Sequence, residues 1–286
     1  MKAHAQGVYL NTFDLTVFIW LTSLAAGFLG ALTGLGGGFV IVPVLSLVFG
    51  VDIRYAIGAS LVSVIATSSG AAAAYVREGF TNIRIGMFLE IATTIGALTG
   101  AFVASMVSTR AIAVVFGGML LWSAYEESRP RYVSEETGTD RLAGILKLDS
   151  TYPGLQGPRS YSVHSVPGGF TLMVLAGILS GLLGIGSGAM KVLAMDHVMK
   201  IPFKVSTTTS NFMIGVTAAA SAGVYLNRGY IDPGITMPVM LGVLAGSLIG
   251  ARMLVRTKTR LLRILFSGVI LILSVEMIYN GLSGRL

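Results

Sequence analysis

The chain has 286 residues, of which 53% are hydrophobic and only 12% charged, with a mean hydropathy of +0.78. Soluble domains carry roughly 25% charged residues, so a water-soluble globule is excluded, and recurring apolar runs of spanning length mark a polytopic, all-α membrane protein in a lipid bilayer rather than a β-barrel. The chain has no cysteine, which excludes disulfides and thiolate metal sites, and its net charge of +7 reads as cytoplasmic loops facing anionic lipid, not as a nucleic-acid surface.

The N-terminal MKAHAQGVYLNTFD has neither the charged n-region nor the small-residue cleavage site of a signal peptide, so the first span is expected to be retained. Apolar segments then follow at about 13–33, 39–50, 55–77, 84–107 and 110–125, and again at about 168–183, 189–200, 205–227, 233–255 and 259–280. The second set is the first one displaced by 150 residues without a gap. Gly27 falls on Gly177, Gly36 on Gly186, Gly38 on Gly188, Ser60 on Ser210, Thr67 on Thr217 and Gly96 on Gly246. Such register makes each half one copy of a supersecondary unit. The expected organisation is a first transmembrane repeat over 1–125, a linker over 126–167 and a second repeat over 168–286.

The second segment of each half is too short to span. Twelve residues of helix reach about 18 Å, against a hydrocarbon core of about 30 Å. In the first half it follows GALTGLGGGFVIVPVL (30–45), and in the second GLLGIGSGAMKV (181–192). A run of the weakest helix formers between a long and a short apolar segment predicts a broken or re-entrant helix.

The turn at that break decides topology. Of the 20 Lys and Arg, all but Lys191 lie at segment ends or in loops. If the chain turns back at each break, the halves are inverted and the basic residues divide 14 against 5, with the linker on the rich side. If the broken segment crosses once, the halves are parallel and the division is 9 against 10. The positive-inside rule favours inverted repeats in the cell membrane, with both termini outside and the linker in the cytoplasm. GALTG (96–100) and GSLIG (246–250) are equivalent GxxxG motifs, expected to let helix backbones pack closely. In the linker, Tyr161 and Val163 alternate with Ser160, Ser162 and His164 beside PGLQGP, which predicts a small cytoplasmic β-hairpin.

The breaks are also where chemistry is expected. Irregular backbone survives in a bilayer only where protein or a water-lined cavity satisfies it. A half-helix starting there offers free N–H groups and a positive dipole end, which suits an anion. Paired half-helices at equivalent places of two repeats point to a transporter's substrate site. The candidate substrate-binding residues are Gly36, Gly37, Gly38 and Phe39 at the first break, and Gly186, Ser187, Gly188 and Ala189 at the second. Lys191, replacing Ile41 of the first copy, adds a cation whose cost inside a membrane marks it as functional. Ser60, Ser210 and Asn211 supply neutral donors for oxyanion oxygens. The carboxylates Glu90, Asp196 and Glu276 each read as close enough to an interface to be solvated. Glu90 is the deepest and is the candidate proton relay. No carboxylate or histidine cluster suits a divalent metal, and no cofactor is expected.

These residues support a small anionic substrate moved with a coupling ion (H⁺ or Na⁺), with a passive anion channel as the alternative. An intramembrane serine hydrolase is the enzyme reading. It fails because IGSG (185–188) lacks the first glycine of the rhomboid GxSG motif, and His197 stands ten residues from Ser187, off its helix face.

GALTGLGGGFVIVPVL, GASL (58–61), GLLGIGSGAMKV and KVSTTTSNFMIGVTAAASAGVYLNRGYID (204–232) together resemble the TauE/SafE family of sulfite and anion exporters. The resemblance covers both repeats. It implies a permease for small anions, often sulfur oxyanions or organosulfonates. The second copy departs from the family pattern at GIGSG, where GxGGG is more usual, and at Leu193, where proline is expected after valine.

Overall fold

The computed structural model describes residues 12–33, 37–77, 79–128, 140–154, 157–254 and 259–285. The described chain is mostly helical, and each apolar segment expected from the sequence falls on a helix. The first half holds α1 (Thr12–Thr33), α2 (Gly38–Pro43), α3 (Ile53–Arg77), α4 (Ile83–Ala104) and α5 (Thr109–Ser128). The second holds α7 (Val166–Leu183), α8 (Gly188–Leu193), α9 (Phe203–Asn227), α10 (Pro233–Leu254) and α11 (Thr259–Ser283). Between them lie α6 (Arg141–Ile145) and two antiparallel strands, β1 (Ser150–Gly154) and β2 (Gly157–Tyr161), with Ser150 opposite Tyr161.

Among the described residues, four helices contain windows long and apolar enough to cross a membrane: Phe13–Gly30, Ile83–Ala104, Val166–Leu183 and Pro233–Gly250. Their outer faces stay uncovered. On α4, Met87, Ile91, Ile95 and Phe102 are 60%, 58%, 54% and 55% exposed, at helical spacing. A stripe of that extent belongs against lipid tails rather than water.

The short helices do not stop where α-helical geometry ends. α2 runs into a wide π turn over Val44–Val48, and α8 into one over Ala194–Val198. Pro43 precedes the first turn, but Leu193 holds the same place before the second, so the wide turn does not depend on proline. Each stretch ends in a left-handed residue, Gly50 (φ +63°) or Lys200 (φ +56°).

Glycines set the helix contacts. A Cβ on Gly96 of α4 would stand 2.2 Å from the Val174 carbonyl oxygen of α7, and one on Gly246 of α10 would stand 2.0 Å from that of Leu24 in α1. A Cβ on Gly177 would meet the Thr93 oxygen at 2.2 Å, and one on Gly27 the Val243 oxygen at 2.3 Å. Each of these contacts recurs 150 residues along with the halves exchanged, and only glycine permits them.

α3 and α9 run antiparallel where they meet, and so do α5 and α11. Along α3 and α9, Gly215 lies against Ser68, and Gly58 against Tyr230 and Ile231 just beyond α9. Along α5 and α11, Gly117 lies against Ser274 and Ile278, and Gly281 against Arg110 and Val114.

The chain reverses at the first break. A Cβ on Gly37 would lie 3.6 Å from the Gly27 Cα, whereas ten residues of continuous helix would separate the two by about 15 Å.

The inter-repeat segment is tied to the helix ends by side chains. Asp140 accepts from Leu142 N–H (3.2 Å) and Val166 N–H (3.0 Å), joining the starts of α6 and α7. Asn82 caps α4 through Ile85 N–H, donates to the Leu148 carbonyl (3.1 Å) and the Tyr161 hydroxyl (2.7 Å), and its N–H donates to Thr209 (3.0 Å). Burial is the main cause that pushes the Tyr161 phenol, at the end of β2, above its ordinary pKa, so it stays neutral.

Candidate functional site

The second break is built from left-handed residues. Gly184 (φ +68°), Gly186 (φ +71°) and Ser187 (φ +50°) reverse the chain between α7 and α8. Glycine takes such angles freely, but Ser187 does so at a cost of roughly 1–2 kcal/mol. Its side chain is fully buried, and its hydroxyl has no hydrogen-bond partner.

The two breaks abut. A Cβ on Gly38 would stand 2.7 Å from the Ser60 hydroxyl, 3.2 Å from the Gly184 oxygen and 3.3 Å from the Ile185 Cα. Ser60 of α3 donates to the Gly184 carbonyl (2.8 Å), and Ser210 of α9 donates to the Gly188 carbonyl (3.2 Å). These two hydroxyls therefore brace both ends of the second break, leaving lone pairs but no proton for a ligand. Ile57 packs against Gly184, Val64 and Ile214 against Gly186, and Ile214 against Gly188, so apolar side chains cover the second break.

The remaining expected residues separate into two groups. Gly37, Gly38 and Phe39 are buried at the first break, with the Phe39 ring in the apolar core. Gly186 and Gly188 are buried, while Ala189 and Asn211 are half-buried. Gly36 lies outside the described residues.

Lys191 is fully buried in α8. Its ammonium donates to the Thr217 hydroxyl of α9 and lies 3.7 Å from Glu90 Oε2 of α4. Thr217 Oγ1 lies 2.6 Å from Glu90 Oε1, and Thr94 donates to the same oxygen at 3.3 Å. Glu90 is only 7% exposed. The expectation that Glu90 is solvated near an interface is thus corrected: α7 and α9 pack over α4 and enclose it. A buried charge needs a partner, and Lys191 of the other half provides it.

Sequence reasoning placed Lys191 and Glu90 separately and missed both their pairing and Thr217. The one signal was the alignment of Thr217 with Thr67, which carries no chemistry by itself. The serine-hydrolase geometry is not assembled. His197 is 53% exposed and faces Asp196 at 3.9 Å, while Ser187 is fully buried. Among the described residues no group of three or more His, Cys, Asp or Glu could hold a metal ion.

The chain is 26% identical over 276 residues to "Probable membrane transporter protein YunE" of Bacillus subtilis, covering 93% of this chain and 98% of that one. It is 26% identical to "Probable membrane transporter protein YdhB" of the same organism, over 82% and 86% of the two chains. With "Probable membrane transporter protein MJ0441" of Methanocaldococcus jannaschii it shares 23% identity over 90% and 93%. No solved structure matches the chain. Residues 19–277 match the family described as "Sulfite exporter TauE/SafE", and the chain belongs to that family of membrane proteins.

Proposed function

We propose that the protein is a secondary transporter that exports small anions, with sulfite, organosulfonates and other sulfur oxyanions as the substrate class. The observation that carries this reading is Lys191, a lysine with no solvent exposure four residues after the buried, unpartnered Ser187 hydroxyl. A cation in that position is expensive and marks an ion pathway. The substrate sits where the two breaks meet, held by Lys191, Ser187 and the amides of the Gly-rich turns, with Asn211 beside it, while Ser60 and Ser210 spend their protons bracing the second turn.

Alternating access follows from two inverted repeats moving about that site. The antiparallel course of α3 against α9 and of α5 against α11 supports inversion, as does the reversal at Gly37. The linker then lies in the cytoplasm and both termini outside the cell membrane. The close packing of the second break by Ile57, Val64 and Ile214 favours a carrier over an open channel.

The test is counterflow in proteoliposomes preloaded with thiosulfate, sulfite or sulfoacetate, with chloride as control. Saturable exchange of a sulfur anion, lost in Lys191→Ala, is expected. Flux that neither saturates nor shows counterflow would establish a channel instead.

A further inference from the structure

We propose that Glu90 is an internal stand-in for the substrate: the anion displaces the Glu90 carboxylate from Lys191, and Glu90 takes up a proton as it is displaced. The inference rests on the anion-site reading above and adds its coupling ion.

Glu90 comes from α4 of the first half and Lys191 from α8 of the second, so the pair bridges the two repeats. The ammonium is occupied, so a substrate anion must compete with the carboxylate for it. That carboxylate is held incompletely. Its Oε1 meets Thr217 and Thr94, but its Oε2 is buried with no hydrogen bond and faces Lys191 at 3.7 Å, beyond the 2.7–2.9 Å of a direct charge-assisted bond. The pair is therefore easier to part than one in direct contact.

Once parted, Glu90 would be an ionised carboxylate enclosed by α7 and α9 with no cation. Such a group neutralises by taking up a proton. The network already holds the alternative arrangement. Thr217 Oγ1 lies 2.6 Å from Glu90 Oε1 and 3.1 Å from the Met213 carbonyl oxygen. With Glu90 ionised, Thr217 donates to it. With Glu90 protonated, the acid donates to Thr217, and the Thr217 hydroxyl turns to Met213.

No other charge on the packed elements serves instead. α7 carries no titratable side chain. On α4, Arg84 donates to the Lys147 carbonyl. On α9, Lys204 lies over the Phe80 ring and Tyr225 donates to the Gly181 carbonyl, while Arg228 at its end lies over Phe102. In the π turn after α8, Asp196 and His197 face each other.

The balance is simple. The empty site holds one positive and one negative charge. The loaded site holds the Lys191 cation, the anion and neutral Glu90, whose new O–H proton comes from the aqueous phase. A monovalent anion thus crosses with one proton and no net charge, and a divalent anion crosses with one negative charge uncompensated.

The test is titration calorimetry of the detergent-solubilised full chain with thiosulfate, which does not itself titrate near neutral pH. Measuring in two buffers of different ionisation heat counts the protons bound. The wild type is expected to take up one proton per thiosulfate, with affinity rising about tenfold for each unit of falling pH while Glu90 is ionised. Glu90→Gln is expected to bind thiosulfate more tightly, with no proton uptake and no pH slope. Binding by the wild type without proton uptake overturns the coupling and leaves the transporter reading standing, and it needs no variant to fold. Full proton uptake in Glu90→Gln also overturns it. Failure of the wild type to bind thiosulfate, sulfite or sulfoacetate at any pH overturns both readings.

Discussion

The Lys191 ammonium and the Glu90 carboxylate lie 3.7 Å apart across the boundary between the two halves, each enclosed by protein. Breaking such a pair from one side strands a buried charge, which costs about 3–5 kcal/mol. Lys191→Ala is therefore expected to lower the thermal midpoint in detergent sharply at pH 8. The deficit should shrink as the pH falls, because a protonated Glu90 needs no cation. The double variant Glu90→Gln with Lys191→Met should recover most of the loss, since neutral groups of similar volume replace a buried pair at little cost. Equal losses in the single and double variants would show that the pair itself contributes no coupling.

The glycine contacts predict a sharp division between positions. Gly96→Val and Gly246→Val place carbon atoms within 2.2 Å and 2.0 Å of backbone oxygens on the facing helix, which cannot yield without moving the helix. Both variants are expected to lose the monodisperse peak in size-exclusion chromatography. Gly118 in α5 has nothing within 4 Å of a built Cβ. Gly118→Ala should keep that peak and gain about 0.5–1 kcal/mol from helix propensity. A tolerated Gly96→Val would mean that α4 and α7 do not pack at this distance.

Much of this was legible from periodicity. The 150-residue register located every long helix, because apolar length and glycine placement are local properties of the chain. The breaks were legible because a run of glycines between a long and a short apolar segment disfavours continuous helix. The wide turns at Val44–Val48 and Ala194–Val198 were not, since Pro43 and Leu193 share no local signal. Nor was the enclosure of Glu90. It stands early in its apolar segment, which reads as close to an interface, and only the packing of α7 and α9 over α4 removes it from water. Pairings such as Ser60 with Gly184, 124 residues away, depend on tertiary geometry that hydropathy does not encode.

The serines around the second break should separate structural from ligand roles. Ser60→Ala leaves the buried Gly184 carbonyl without its donor, at an expected loss of about 1–3 kcal/mol. Ser187 loses no hydrogen bond on substitution and sits at φ +50°. Ser187→Gly is therefore expected to raise the thermal midpoint of the empty protein by relieving a left-handed strain of roughly 1–2 kcal/mol. The same variant should weaken thiosulfate binding in calorimetry. Unchanged binding would remove the Ser187 hydroxyl from the anion site.

The inverted arrangement makes a prediction about sidedness, and a chain without cysteine has no background against which to read it. Asp52→Cys before α3 and Ser108→Cys before α5 place thiols at exposed positions expected outside the cell. Lys147→Cys and Arg159→Cys place them at exposed positions of the linker, expected in the cytoplasm. In intact cells a membrane-impermeant maleimide should label the first two and spare the second two until the membrane is permeabilised. If the broken segments crossed once, Asp52→Cys and Ser108→Cys would still lie opposite the linker, so these sites alone fix the orientation of the first half. Asn227→Cys, exposed at the end of α9, and the exposed Asp52→Cys decide the relation between halves. Inverted repeats put both on the outer side, whereas parallel repeats put them on opposite sides of the membrane, because α3 begins and α9 ends at these positions.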